Sequence, residues 1–70
     1  MIVFKLKKLL FDRNMRVSDL ARKTGLREAT LGLMYHGYIK RIHVQQLDII
    51  CRSLNCELFD LIEYIPDEEQ

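Results

Sequence analysis

The 70-residue sequence has a single proline and no stretch rich in proline, glycine or serine, so it offers no linker and no second domain boundary. No apolar run approaches the ~18 residues that a membrane-spanning helix needs. The hydrophobic start MIVFKLKKLLF is interrupted by Lys5, Lys7 and Lys8 where a signal peptide would be uncharged, so it reads as folded structure. Only two cysteines occur, Cys51 and Cys56; without a secretion signal they suit reduced, buried thiols in a cytoplasmic protein. There is no glycine-rich phosphate loop and no internal repeat, and Ser18 and Ser53 lack an evident base, which leaves catalysis and a small-molecule substrate without support. A metal or other cofactor is equally unsupported. His43, Cys51 and Cys56 have no fourth ligand at a recognised spacing, and the two cysteines are expected on different helical faces.

Against these absences, 49% of the residues are hydrophobic, enough for one core and no more. A domain of this size standing alone is expected to keep only about 3–5 kcal/mol of stability, so a homodimer is a sensible expectation. Charge is strongly polarised along the chain. Residues 1–41 hold ten Lys or Arg against three acids, whereas residues 42–70 hold Arg52 alone against seven acids. The N-terminal half therefore favours an anionic partner, and the acidic half is kept away from it. Scattered charge on two solvated faces is the plainer alternative.

Apolar periodicity predicts five helices. Leu6, Leu9 and Leu10 recur at helical spacing from about Lys5 to Arg13, with Asn14 suited to the left-handed turn that follows. A second helix over Val17–Thr24 turns Leu20 and Ala21 inward and ends at Gly25. The third, about Glu28 to Tyr35, sends Leu31 and Met34 to the core and stops at Gly37. Tyr38 to Arg41 then form a basic loop. The fourth, about His43 to Leu54, places Val44, Leu47, Ile50, Cys51 and Leu54 at core spacing, and Asn55 closes it. A short fifth runs from Glu57 to about Ile62, with Glu57 and Asp60 where the helix dipole favours acids. Ile2 to Phe4 and Ile62 to Ile65 are β-branched and aromatic, so the termini can pair as short strands, although Ile2 to Phe4 suit the start of the first helix equally. After Pro66 the acidic tail, residues 67–70, is expected to be disordered.

The segment from Arg16 to Gly37, RVSDLARKTGLREATLGLMYHG, has two short helices joined by a tight glycine turn, the layout of a helix-turn-helix. Leu20-Ala21, Gly25-Leu26, Thr30-Leu31, Met34 and Gly37 match the pattern of the Cro/cI-type (XRE-family) repressors, and the downstream KRIHVQQLDIICRSLNCELFDLIEY is similar to that family's last two helices. The resemblance covers about residues 5–65. It implies an all-α, compact five-helix lambda-repressor-like domain over residues 1–66, with the helix-turn-helix at helices 2 and 3, binding double-stranded DNA.

Carried over residue by residue, the phosphate-binding pair at the start of helix 2 falls on Arg16 and Val17, and Val17 has no side-chain donor. The base-facing positions fall on Glu28, Ala29 and Leu33, with Arg27, Thr30 and Gly32 beside them. Relatives carry mostly glutamine, arginine, lysine or serine there. Alanine and leucine can meet thymine methyl groups and a carboxylate can accept from cytosine N4, so this face can still read bases while Arg16, Arg27, Lys40, Arg41, His36 and Tyr38 hold phosphates. Other readings stay open. Leu33 can be half-buried against Tyr38 or Ile39, His36 can cap its helix, and Tyr35 and Tyr38 can cover the core edge. The function expected is a homodimeric regulator, a repressor that occupies a promoter by placing residues 27–36 in major grooves ~34 Å apart. Dimer candidates are Met1 to Phe4 and Phe59 to Ile65. The alternative is a protein-interaction module, an anti-repressor or antitoxin, docking through an exposed Ala29/Leu33 stripe.

Overall fold

A computed structural model describes residues 1–66; the tail at 67–70, for which disorder was expected, lies outside the described residues. The order of elements is β1 (Ile2–Phe4), α1 (Leu6–Asp12), α2 (Val17–Thr24), α3 (Glu28–Tyr35), α4 (Val44–Leu54), α5 (Leu58–Leu61) and β2 (Ile62–Tyr64). The five helices stand as the apolar spacing predicts. The termini add a two-stranded antiparallel sheet with Ile2 opposite Tyr64, Val3 opposite Glu63 and Phe4 opposite Ile62. Its ends are tied by Lys5 N–H to the Leu61 carbonyl at 2.7 Å and Ile65 N–H to the Met1 carbonyl at 2.8 Å. This pairing settles the role of Ile2 to Phe4, which do not begin α1.

Leu6, Leu10, Leu20, Leu31, Met34, Ile50 and Leu61 are fully buried, with Leu9 and Leu54 nearly so, and together they form one core drawn from every helix. Each such side chain contributes about 1.5–3 kcal/mol relative to exposure. Phe4, Leu26, Ile39, Ile42 and Ile62 pack around it half-buried. Val44 departs from expectation: it is 80% exposed. As the first residue of α4 it precedes the point where that helix meets the core, and helical spacing alone does not say where contact begins.

Helix ends are built by left-handed residues in the places the sequence assigns to them. Asn14 (φ 55°), Gly37 (φ 76°) and Asn55 (φ 51°) each close a helix by a double bond pattern. The residue after the left-handed one donates to the carbonyl five positions back: Met15 to Leu10 at 2.9 Å, Tyr38 to Leu33 at 2.8 Å and Cys56 to Cys51 at 3.0 Å. The left-handed residue itself donates three positions back, which together is the Schellman closure. At the start of α5, the Asp60 carboxylate accepts the Glu57 N–H at 2.9 Å, so Glu57 caps the helix rather than joining it. α5 stops at Leu61 because Ile62 is already extended (φ −134°, ψ 157°) and pairs with Phe4.

Candidate DNA interface

The turn between α2 and α3 is fixed by side chains as well as by glycine. Gly25, at φ 78°, adopts a backbone that a Cβ would strain, and its N–H returns to the Ala21 carbonyl at 2.8 Å. The Thr24 hydroxyl donates to the Leu20 carbonyl at 2.7 Å and accepts the Leu26 N–H at 3.1 Å, so one side chain spans both arms of the turn. At the other end of α2, the Asp19 carboxylate accepts the Arg16 N–H at 2.9 Å and an Arg22 guanidinium N–H at 2.5 Å. The Arg16 amide, and with it Arg22, holds the Asp19 carboxyl below its ordinary value of 3.8. Thr24 is a positioning residue that the sequence reading passed over, since a threonine at a helix end has many uses.

From this frame α3 presents one face to the core and one to solvent. Leu31 and Met34 are fully buried, whereas Arg27, Glu28, Ala29 and Leu33 are exposed and Thr30 is half-buried. Leu33 is 47% exposed and occupies the Schellman position paired with Tyr38, which is itself 71% exposed. Val17 differs from its neighbours on the candidate list, because its side chain is half-buried against the core. What it offers outward is backbone.

Past α3 the chain makes an aromatic step. His36 stacks on Tyr38 with ring centroids 6.0 Å apart and meets Tyr35 edge-on at 5.1 Å, and Lys7 of α1 stands 5.9 Å from the Tyr35 centroid. Tyr35 is half-buried on the core, while His36 and Tyr38 are exposed. Lys40 and Arg41 are exposed between Ile39 and Ile42, both packed against the core, so the basic pair is carried on an anchored loop. Lys7 was missed in sequence because it reaches this region only through the packing of α1 on α3.

Charge pairing sharpens the picture. Among the described residues the ion pairs are Lys5 with Glu63, Lys8 with Asp12, Arg22 with Asp19 and Arg52 with Asp48. Arg16, Arg27, Lys40 and Arg41 have no carboxylate partner among those residues. These four exposed cations stand at the starts of α2 and α3 and before α4, three helices in mutual contact through α2; Lys7 and Lys23, also exposed, are likewise outside the ion pairs of the described residues.

Cys51 and Cys56, expected on different helical faces, lie together. Cys56 falls beyond the end of α4, where the Schellman closure folds it back onto Cys51; both are free and half-buried rather than fully buried. Burial, and then the neighbouring Cys51 side chain, pushes the Cys56 thiol up to about 11. Among the described residues no group of three or more His, Cys, Asp or Glu is placed to hold a metal ion, and no helix is long and apolar enough to cross a membrane.

A tight-turn helix pair with a buried and an exposed face on its second helix, flanked by unpaired cations, is a helix-turn-helix DNA-binding domain. Residues 5–67 match the model of the Cro/C1-type HTH DNA-binding domain, and the chain belongs to that family. It is 32% identical over 68 residues to YozG of Bacillus subtilis (strain 168), an uncharacterized HTH-type transcriptional regulator, spanning 97% of this chain and 81% of that one. The fold is similar to the crystal structure of the transcriptional regulator VanUg, with a TM-score of 0.77, 33% identity and coverage of 94% of this chain and 87% of that one. A putative DNA-binding protein from Bacteroides fragilis shares the fold, with a TM-score of 0.77 at 21% identity, over 90% of this chain and all of that one.

Proposed function

We propose that the protein is a sequence-specific transcriptional regulator, acting as a homodimeric repressor that inserts α3 into the major groove of its operator. The observation that carries this reading is the set of exposed cations Arg16, Arg27, Lys40 and Arg41, in no ion pair among the described residues, at the starts of α2 and α3 and in the loop that follows α3. Arg16, Arg27 and the Lys40-Arg41 loop hold phosphates, joined by His36 and Tyr38. Glu28 accepts from cytosine N4, and Ala29 and Leu33 meet thymine methyl groups. Val17 and Thr30 serve through backbone and position. Such a face has few bidentate contacts, so binding leans on phosphates and falls steeply with salt.

Replacing Arg27, Lys40 and Arg41 together with alanine removes three phosphate-facing charges. The slope of log affinity against log salt is expected to fall by about 2–3, at about 0.9 per contact. An unchanged slope, or no measurable DNA binding even at low salt, defeats the reading. The exposure of Leu33 favours one rival, a docking stripe for a protein partner through Ala29 and Leu33. Leu33→Arg separates the two. On DNA it shifts the preferred sequence and raises non-specific affinity, whereas loss of a protein complex with no DNA effect supports the rival.

A further inference from the structure

Three of the helix ends in this chain are closed in the same way, and in each the closure brings a fixed pair of side chains together. At the end of α1 the pair is Leu10 and Met15, at the end of α3 it is Leu33 and Tyr38, and at the end of α4 it is Cys51 and Cys56. The motif ordinarily asks only for an apolar contact at these two positions. Leucine with methionine, or leucine with tyrosine, meets that need elsewhere in this chain. The α4 closure instead places two cysteines at these positions, the Cys56 N–H donating to the Cys51 carbonyl at 3.0 Å. Both are half-buried, and they line a surface pocket with Val44, Leu47, Asp48, Glu57 and Leu58.

We propose that Cys51 and Cys56 form a reversible dithiol–disulfide site that reacts with low-molecular-weight disulfides. In the first step the Cys51 thiolate attacks one sulfur of the incoming disulfide, the S–S bond of that molecule breaks, and one of its halves leaves as a thiolate. In the second, the Cys56 thiolate attacks the Cys51 sulfur of the mixed disulfide and expels the other half. The two protein thiols are oxidised, the small disulfide is reduced to two thiols, and the protons lost by Cys51 and Cys56 end on them. Cys56 is the resolving residue because burial, Cys51 and the Asp60 carboxylate, opposed by the Arg13 guanidinium, keep it protonated at neutral pH. The first attack therefore falls to Cys51, and ring closure quickens as pH rises toward the Cys56 value. The backbone bonds already bend the chain through this corner. Closing the disulfide thus leaves the fold in place. Cys51 lies two turns along α4 from its first residue, Val44, about 10 Å along the helix, and neither cysteine is among the residues proposed to meet DNA, so the site does not depend on that reading.

The test is thiol–disulfide exchange of the full chain with oxidised glutathione at several pH values, followed by intact mass and free-thiol titration, in native buffer and in concentrated urea. A product 2 Da lighter than the reduced chain, with both thiols lost and recovered on reduction, supports the site. Its yield relative to mixed disulfide is expected to be about tenfold higher in the folded protein than in urea, because folding raises the effective concentration of one thiol at the other. Cys56→Ser is expected to stop at a glutathione adduct on Cys51, and Cys51→Ser to react more slowly. Accumulation of adducts on both cysteines without ring closure, disulfides only between chains, or equal ring closure in urea would each overturn the proposal.

Discussion

Gly32 illustrates how a single position can be read from backbone and space. It sits inside α3 without a positive φ, and a Cβ built on it meets no atom within 4 Å. Replacing it with alanine is expected to raise unfolding stability by about 0.5–1 kcal/mol, since a helical glycine loses more conformational freedom on folding than alanine does. A urea titration of Gly32→Ala checks this; a lowered midpoint contradicts it. Asp19 gives a second test through pH. Its depressed carboxyl value means that its bonds to Arg16 and Arg22 stabilise the fold above the ordinary value of 3.8, and that this contribution is lost as pH falls through the lower, folded value. Asp19→Ala should therefore be less stable than the parent above about pH 4, with the difference shrinking at more acidic pH. A difference independent of pH would mean that the charge of Asp19 contributes nothing. Neither position was legible as special in sequence, because open space beside Gly32 and the ring of donors around Asp19 exist only once the helices are placed.

At the scale of elements, the unit that matters is the α2–turn–α3 pair. Thr24→Val keeps the shape of the side chain but removes the acceptor of the Leu26 N–H and the donor to the Leu20 carbonyl. It is expected to cost about 1–3 kcal/mol, the range for leaving a partly buried amide unpaired, and to weaken DNA binding by loosening the angle at which α3 is held. Amide exchange at Leu26 reports this locally; unchanged protection there would mean that Gly25 alone sets the turn. The helices and their stops were readable from Leu, Ile and Met spacing and from Asn14, Gly25, Gly37 and Asn55, since each of these carries its conformational preference locally. What escaped was non-local. Val44 fits the apolar period yet faces solvent; the pairing of the termini was legible in their β-branched residues, but not its register, which sets Ile62 opposite Phe4, 58 positions earlier. Cys56 is folded back onto Cys51 by a closure that no helical wheel shows.

For the whole molecule, the charge split seen along the sequence resolves into a pairing pattern. The carboxylates that are paired neutralise Lys5, Lys8, Arg22 and Arg52; among the described residues Arg16, Arg27, Lys40 and Arg41 stay exposed and outside these ion pairs at the starts of α2 and α3 and before α4, as do Lys7 and Lys23 elsewhere. The framework of the candidate interface was therefore legible, in Leu20-Ala21, Gly25 and Leu31 with Met34, and so was most of its basic rim. Its apolar reading face was legible as residues but not as a meaning, because Ala29 and Leu33 suit thymine methyl groups and a protein partner alike. Selection of bound sequences from random duplex DNA decides between these most directly. Enrichment of a palindrome with half-sites about one helical turn apart is the result expected of a homodimer reading bases through α3. A pool that stays random after selection at low salt would contradict it.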